Sequence, residues 1–271
     1  MLWNAKNGEV PLGGTMMSYA SFGHGPRVLV ILPGLSDGLA TVRGKALFLA
    51  APYRKFFDNW SVYMFSRKDE MPEGYSIREM AQDQAEALKL LGLEKVSVMG
   101  VSQGGMIAQL LAAEYPELVE KLVIAVSAPR VNEQIRTCVS SWINLAQEGD
   151  HKQLMIDTAE KSYSENYLKK YRKMYPLLGR IGRPENYGRF LINAQAILGF
   201  DAVPELAKIT CPTLIIGGTE DQIVGAAASY ELRDHISGSE LYMYEGLGHA
   251  AYEEAKDFNE RVFKFLDDQR S

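Results

Sequence analysis

One stretch constrains the fold of this chain more than any other: residues 96–116, with the sequence VSVMGVSQGGMIAQLLAAEYP. It begins with a short apolar run rich in valine, which is typical of a buried strand. The run breaks at GVSQG, and apolar residues then recur at helical spacing. The stretch therefore predicts a strand, a tight turn and a helix, with Ser102 at the turn. A serine on such a turn has its hydroxyl exposed at the carboxyl end of the strand.

The two glycines around Ser102 have a mechanical reason. Gly100 and Gly104 lie where side chains would collide as strand and helix approach each other. The start of the helix would also place free N–H groups and the positive end of the helix dipole beside the hydroxyl. A glycine-rich turn with an ordinary turn or N-cap serine is the alternative. To assign Ser102 as a nucleophile, the chain must therefore also supply an acid and a histidine further along, in that order.

Short apolar runs and helical patterns alternate on both sides of this stretch. The runs that predict strands are 16–22, 27–32, 60–65, 95–101, 121–126, 212–216 and 240–244. Ser76 and Glu79 form a capping box that predicts the start of a helix. Strands that alternate with helices favour an α/β fold with a mostly parallel central sheet and right-handed crossovers.

The strand pattern disappears in the middle of the chain. Four segments there have helical character: 132–147, 152–162, 165–178 and 184–198. We therefore predict an α/β core formed by residues 1–129 and 207–271, and an inserted helical cap, or lid, at residues 130–206. The cap would shape the substrate pocket.

Composition excludes several classes of protein. The net charge is −5 with no long basic run, so nucleic acid is not expected as a partner. No apolar run approaches the ~20 residues that span a bilayer, and the N-terminus lacks a signal-peptide pattern. We therefore expect a cytoplasmic protein that binds no membrane.

Cys138 and Cys211 are expected to be reduced and buried, and four widely spaced histidines predict no metal site. Oligomeric state has no signal in the sequence.

Three residues of the right chemistry each follow a predicted parallel strand: Ser102, Asp221 and His249. Ligands bind at that edge of an open α/β sheet, and Ser, Asp, His is the chain order of an α/β-hydrolase triad. A histidine can take the serine proton and return it to the leaving group, while a carboxylate orients the imidazole. We predict Ser102 as nucleophile, His249 as general base and acid, and Asp221 as the orienting carboxylate.

Each assignment has an alternative. Asp221 could cap the helix that follows it, and Glu220 is its nearest acidic rival. His249 could be the N-cap of the last helix. The other histidines lie in predicted turns or helices away from a strand end, so loss of activity should follow substitution of His249 and not of His24.

The transition state of acyl transfer also needs donors for an oxyanion. The residue after the nucleophile, Gln103, offers its N–H at the start of the helix. The loop after the strand at 27–32 offers a second, which we assign to Leu35. A plain turn at residues 33–35 is the alternative.

Four segments together resemble the α/β-hydrolase fold superfamily, in particular serine esterases, lipases and lactonases with a helical cap. They are VLVILPGLSDG, GVSQGG, ITCPTLIIGGTEDQIV and GLGHAAYEEAKDFNERVFKFL. The resemblance covers nearly the whole chain, and the three triad candidates match the family position by position. One departure is that the family's oxyanion loop usually begins His-Gly, whereas here it begins Pro33-Gly34. Proline fixes φ and removes a donor, which predicts a reshaped loop around Leu35.

The resemblance implies a cofactor-independent serine hydrolase that cleaves a small carboxylic ester or lactone through an acyl-enzyme. A small ester-like molecule is then the expected partner. The same triad could instead act on a C–C or amide bond or in perhydrolysis. A non-catalytic binding protein on this fold is the third possibility, because fold alone does not decide function.

Overall fold

The computed structural model describes residues 2–179 and 182–268. Its strands are β1 Lys6–Leu12, β2 Thr15–Gly23, β3 Arg27–Leu32, β4 Trp60–Lys68, β5 Val96–Val101, β6 Val119–Ala125, β7 Thr213–Gly218 and β8 Glu240–Tyr244. They form one sheet in the order β1-β2-β4-β3-β5-β6-β7-β8. Strands β3 to β8 are parallel, and β2 is antiparallel to β1 and β4. The predicted α/β fold with a mostly parallel sheet is confirmed.

Helices account for most of the remaining described residues. The α-helices are α1 Ala46–Ala50, α2 Ile77–Leu90, α3 Gln103–Glu114, α4 Glu133–Gln147, α5 His151–Ser162, α6 Glu165–Tyr171, α7 Tyr175–Leu178, α8 Gly188–Leu198, α9 Val203–Leu206, α10 Ala226–His235, α11 Ala251–Glu254 and α12 Phe258–Asp267. Short 3-10 helices cover Leu2–Asn4, Leu35–Gly38, Ala51–Phe56 and Arg172–Met174. Within the described ranges, none of the helices combines the length and the apolar character that crossing a membrane requires.

Both faces of the sheet are buried. In β3, Val30 and Leu32 belong to the apolar cluster that includes α2 and α3, whereas Leu29 and Ile31 belong to the cluster that includes α12. Successive residues of a strand point to opposite faces. A strand covered on both sides therefore needs apolar residues at every position, which is why the run at 27–32 is continuous rather than alternating.

The structure differs from the sequence prediction at the N-terminus and in two helices. Strand β1 has no counterpart among the predicted runs, because Gly8 and Pro11 weaken its strand pattern; as an edge strand it tolerates a proline. The helix predicted at 165–178 is interrupted after Tyr171, since Pro176 suits the first turn of a new helix and not the interior of a longer one. The final helical pattern, which predicts one helix over 251–268, is divided into α11 and α12 at Ala255, which is extended.

The chain leaves the α/β core after β6 and returns before β7. We refer to residues 130–206, between these strands, as the helical segment. Its two ends lie side by side: Val131 N–H donates to Phe200 O at 3.1 Å, and Ala202 N–H donates to Pro129 O at 2.8 Å. The segment is thus held to the core at a narrow base.

The capping box predicted at the start of α2 is present, with Glu79 N–H donating to Ser76 Oγ at 3.2 Å.

Candidate active site

Ser102 lies on a strained turn between β5 and α3. Its φ is 54° and its ψ is −119°, a conformation that costs energy for any residue with a side chain. The turn is tight because β5 and α3 approach very closely. A Cβ atom on Gly104 would lie 1.9 Å from the carbonyl oxygen of Leu32, and one on Gly100 would lie 2.3 Å from the carbonyl oxygen of Gly104. Only glycine fits at these two positions.

Three strand ends bring Ser102, His249 and Asp221 together. Ser102 Oγ lies 2.9 Å from His249 Nε2, and His249 Nδ1 lies 2.8 Å from Asp221 Oδ2. With its proton on Nδ1, the ring donates to Asp221 and accepts from the serine hydroxyl. His249 and Asp221 are 7% and 6% exposed, whereas Ser102 is partly open to solvent. The geometry is that of a nucleophile, a base and an orienting group in sequence.

Asp221 is held as a carboxylate by several groups. Its Oδ1 accepts hydrogen bonds from the N–H groups of Ile223 at 2.8 Å and Val224 at 2.9 Å. Burial by itself raises the pKa of this carboxyl, but the His249 imidazole and these N–H groups outweigh burial and hold the pKa below its usual value. Of the two acidic residues at this turn, Asp221 is therefore the one that contacts the histidine, and it stays ionised well into the acid range.

The first candidate oxyanion donor, Gln103, is the first residue of α3. The second, Leu35, is the first residue of the 3-10 helix Leu35–Gly38. N–H groups at a helix start have no acceptor within the helix. The loop passes close to Ser102, because a Cβ on Gly34 would lie 3.3 Å from Ser102 Cβ and 3.8 Å from Ser102 Oγ. The loop that begins at Pro33 thus turns immediately into a helical turn beside Ser102.

The helical segment holds the turn that carries Asp221. From the base of the segment and from α4, Asn132 Nδ2 donates to the carbonyl oxygen of Val224 at 2.8 Å, and Gln134 Nε2 donates to that of Asp221 at 3.0 Å. Cys138 Sγ donates to the carbonyl oxygen of Gln222 at 3.4 Å. Three side chains from residues 132–138 therefore donate hydrogen bonds to three backbone carbonyl oxygens of the turn that carries Asp221.

The segment also contacts the turn that carries the histidine. Ala250 N–H donates to the carbonyl oxygen of Ser162 at 2.8 Å, at the end of α5. Beside this contact lies a polar cavity of about 390 Å³ between the two turns and the helical segment. Its lining includes Asp157, Glu160, Lys161, Tyr163, Ser164, Arg172, Glu220, Gln222 and Gly248. Arg172 is already paired with Glu160 and with Glu165, each at 2.7 Å, so its charge is neutralised within the protein.

Several aromatic side chains of the helical segment contact other parts of the protein. Trp142 Nε1 donates to Asp157 Oδ2 at 2.7 Å, and Phe190 is buried against Gly38. Tyr167 and Tyr171 stack with ring centroids 4.3 Å apart, as residues one helical turn apart can. Tyr175, four residues after Tyr171, does not join this stack and instead donates to Glu160.

Several residues at this edge of the sheet were not identified from the sequence. Asp37 lies in the loop beside Ser102, Arg67 lies near the end of β4, and both are buried. Ser127 follows β6 and bonds to the elbow. One signal was available for Arg67: it is a charged residue two positions after the predicted apolar run 60–65, near the edge of the sheet where Ser102 and Asp221 also lie. The contacts themselves have no local pattern.

Comparison with known proteins agrees with this architecture. The family model described as alpha/beta hydrolase fold matches residues 27–256. Among curated proteins, the serine hydrolase BPHL of Mus musculus is 27% identical over 277 residues, which cover 95% of this chain and 85% of that protein. A 2-hydroxy-6-oxononadienedioate/2-hydroxy-6-oxononatrienedioate hydrolase of Klebsiella pneumoniae is 30% identical over 186 residues, covering 65% of this chain and 64% of that protein.

Solved structures show the same fold. The enol-lactonase of Burkholderia xenovorans LB400 superposes with a TM-score of 0.82 at 20% identity, over 96% of this chain and 100% of the other. At that identity the likeness establishes the fold alone. The chemistry has to be argued from the residues at the strand ends.

Proposed function

The chain belongs to the α/β-hydrolase family, and on that premise we propose that it is a serine hydrolase that cleaves a small carboxylic ester or lactone without a cofactor. One observation carries the proposal: an unbroken hydrogen-bonded path runs from Asp221 through His249 to the hydroxyl of Ser102. A hydrolase, the broader statement, is also what the curated relatives are named.

In the first half of the proposed reaction, Ser102 Oγ attacks the carbonyl carbon while His249 Nε2 takes the hydroxyl proton. The carbonyl oxygen becomes an oxyanion, which the N–H groups of Gln103 and Leu35 would stabilise, each by roughly 2.7–4 kcal/mol. The intermediate then collapses: the C–O bond breaks, His249 gives its proton to the leaving alkoxide, and the acyl group stays on Ser102.

In the second half, water attacks the acyl-enzyme. His249 takes one proton from the water, and the resulting oxyanion accepts hydrogen bonds from the same N–H groups of Gln103 and Leu35. Its collapse breaks the bond to Ser102 Oγ, which regains the proton from His249. The acid is released and the enzyme returns to its starting state. Asp221 keeps the imidazole in the tautomer that both halves need.

We further propose that residues 130–206 act as a cap over this site. The contacts at the turns of Asp221 and His249 support this role, because they place the helical segment against the sheet edge where a ligand would bind.

Carbon–carbon bond hydrolysis is the second candidate. The relative from Klebsiella pneumoniae is named for a 2-hydroxy-6-oxo dienedioate. That compound carries carboxylates, a ketone and an enol but no ester, so a hydrolase that acts on it must cleave another bond. A serine triad could attack the ketone carbon in the same way. Incubation with a 2-hydroxy-6-oxo dienoate would test this, since cleavage destroys its conjugated chromophore.

The proposed function is tested with p-nitrophenyl esters of increasing acyl length and a fluorophosphonate probe. We expect turnover of the short esters and labelling of Ser102. Ser102→Ala should abolish labelling and lower turnover by roughly 10⁶-fold, the size of effect seen for removal of a triad serine. Labelling without ester turnover would point to the second candidate or to an amide substrate. Absence of both would favour a non-catalytic binding protein.

Two histidine variants provide the matched control. His249→Ala should lose turnover as completely as the serine variant. His24 lies in the exposed turn between β2 and β3, 3.7 Å from Asp58 and before the amino end of β3, at the opposite edge of the sheet from Ser102, so His24→Ala should keep wild-type turnover. Equal loss in both variants, or loss in His24→Ala alone, would contradict the assignment of the base.

A further inference from the structure

A buried polar cluster lies directly behind the two candidate oxyanion donors. Arg67 Nη2 donates to the side-chain oxygen of Gln103 at 2.9 Å, and the backbone N–H of Arg67 donates to Asp37 Oδ2 at 3.0 Å. Arg67 Nη1 lies 3.7 Å from the same carboxylate oxygen. Gln103 carries one donor in its backbone, and Asp37 lies two residues beyond the other donor, Leu35. Arg67 therefore bridges the two donor-bearing elements, α3 and the 3-10 helix Leu35–Gly38.

The helical segment closes the cluster from above. Arg189, on α8, donates to Asp37 Oδ2 at 2.9 Å, to the carbonyl oxygen of Asp37, and to the carbonyl oxygen of Arg67 at 2.7 Å. Gln103 Nε2 donates to the carbonyl oxygen of Asn193, also on α8, at 2.8 Å. Both ends of the Gln103 amide are thus fixed, one by the core and one by the helical segment.

The cluster carries more positive than negative charge. Two guanidinium groups face one carboxylate, and the Arg67 and Asp37 side chains are 2% and 1% exposed. Burial lowers the pKa of Arg67 to about 10, with the nearby Asp37 opposing and Arg189 reinforcing this effect. Arg67 is therefore still a cation at neutral pH. In a low-dielectric site this positive charge favours an anion that forms nearby.

The cluster is also incompletely satisfied. Arg67 Nε and Asp37 Oδ1 are buried and have no hydrogen-bond partner among residues 2–179 and 182–268. Buried charges with unmade hydrogen bonds are a poor means of stabilising a fold. A buried ionic cluster placed against two backbone donors is better explained by what it does to those donors.

We propose that Arg67 is a positioning residue for the oxyanion hole: it locks the side chain of Gln103 and the loop of Asp37 into one rigid unit, with Arg189 tying that unit to the helical segment. This inference rests on the proposed serine-hydrolase function. Its consequence is that loss of Arg67 slows formation of the tetrahedral adduct and leaves substrate binding largely intact.

The test uses the full-length protein and measures the second-order rate constant for labelling of Ser102 by an alkyl fluorophosphonate, which forms a tetrahedral adduct and needs no knowledge of the natural substrate. Arg67→Met removes the charge and all side-chain donors while keeping an unbranched chain. We expect labelling to slow by about 10²-fold, the cost of misplacing catalytic groups by roughly 1 Å. Arg67→Lys keeps the charge and should recover part of the rate.

The same variants are assayed on a short p-nitrophenyl ester. A positioning role predicts a fall in kcat with little change in KM, because the interaction matters only when the oxyanion forms. Gln103→Met provides a second route if Arg67→Met folds poorly: it keeps the backbone donor of Gln103 but removes the partner of Arg67. It should slow labelling in the same way.

Lys68→Met is the matched control. Lys68 is the next residue on β4, and its ammonium group bonds to Asp83 at 3.2 Å and to Tyr75 at 2.6 Å, away from the donors. It should lose thermal stability but label at the wild-type rate. Wild-type labelling rates in folded Arg67→Met and Gln103→Met would overturn the inference and leave the proposed function standing. A wild-type protein that is neither labelled nor active would overturn both.

Discussion

The hydroxyl of Ser127 donates a hydrogen bond of 2.8 Å to the backbone carbonyl oxygen of Ser102. The same carbonyl accepts the N–H groups of Gly105 at 2.8 Å and Met106 at 3.2 Å, which begin the ladder of α3. The end of β6 therefore braces the strained turn from outside β5 and α3. A Cβ on Gly105 would lie 2.6 Å from Ser127 Cβ, so the two segments are already in close contact.

Ser127→Ala should destabilise the protein and impair the turn. One buried donor is lost, which costs about 1 kcal/mol in the free energy of unfolding, and we expect a moderate fall in kcat as the turn relaxes. Urea unfolding and ester kinetics measure the two effects. Ser97→Ala is the control: its hydroxyl is equally buried, on β5, but without a partner among the described residues. Its removal should be neutral or stabilising, and a loss as large as that of Ser127→Ala would contradict the bracing role.

Asp221→Asn should retain the fold and lose most of the activity. The asparagine amide can donate an N–H to Nδ1, which holds the imidazole in the wrong tautomer. On the proposed mechanism kcat should then fall by about 10⁴-fold, the effect of this substitution in a serine protease triad. Glu220→Gln, at the neighbouring position, should keep wild-type kcat because the imidazole contacts Asp221. If the glutamate variant lost activity and the aspartate variant did not, the acid would have been assigned to the wrong residue.

The same pair gives a stability prediction with a definite sign. Since the pKa of Asp221 is lowered in the folded protein, its ionised form stabilises the fold. That stability is fully present above the unfolded-state pKa of about 3.9 and is lost as the pH falls through the lower folded-state value. The difference in free energy of unfolding between wild type and Asp221→Asn should therefore shrink between pH 7 and pH 3. A difference that grows on acidification would exclude this linkage.

Gly104→Ala tests the close approach at the elbow. The added methyl group would meet the backbone oxygen of Leu32 at 1.9 Å, and backbone cannot move aside as a flexible side chain can. We expect a loss of about 3 kcal/mol or more in stability, with loss of activity. Gly199→Ala is the matched control, because the nearest atom to its added methyl would be the carbonyl oxygen of Ala196 at 3.9 Å. It should unfold at the wild-type urea concentration.

The features predicted from the sequence are those with a local pattern. After Arg27, residues 28–32 are all apolar because both faces of β3 are covered, and this continuous run is what predicts a strand there. The turn that carries Ser102 could be predicted because Gly100 and Gly104 are required by short backbone distances within one strand–turn–helix unit. Ser102, Asp221 and His249 could be proposed together because parallel strands end at one edge.

Contacts between distant parts of the chain had no such pattern. Arg67 and Arg189 are 122 residues apart, and nothing near either residue shows that both contact Asp37. The hydrogen bond from Gln134 to the carbonyl oxygen of Asp221 depends on how the helical segment packs against the core. The spacing of apolar residues in the sequence does not encode that packing. Strand β1 was missed for the opposite reason, because its pairing with β2 outweighs the weak strand preference of Gly8 and Pro11.

The two cysteines should be unreactive in the native protein. Burial raises the pKa of both thiols, most directly at Cys211; at Cys138 the nearby Lys161 opposes burial without outweighing it. Because the thiolate is the reactive species, Ellman's reagent should modify neither thiol quickly at pH 7 and both after unfolding in guanidinium.

The consequence of modification should differ between the two cysteines. Cys138 Sγ donates to the carbonyl oxygen of Gln222, on the turn that carries Asp221, whereas Cys211 lies just before β7, at the opposite end of that strand. A bulky group on Cys138 would push α4 away from the acid turn. Prolonged treatment with a thiol reagent should therefore inactivate Cys211→Ala, in which Cys138 is the thiol that is modified. The same treatment should spare the turnover of p-nitrophenyl esters by Cys138→Ala, in which Cys211 is modified. Rapid labelling of Cys138 at pH 7 with full activity would show that its contact with the turn is not needed to hold Asp221 in place.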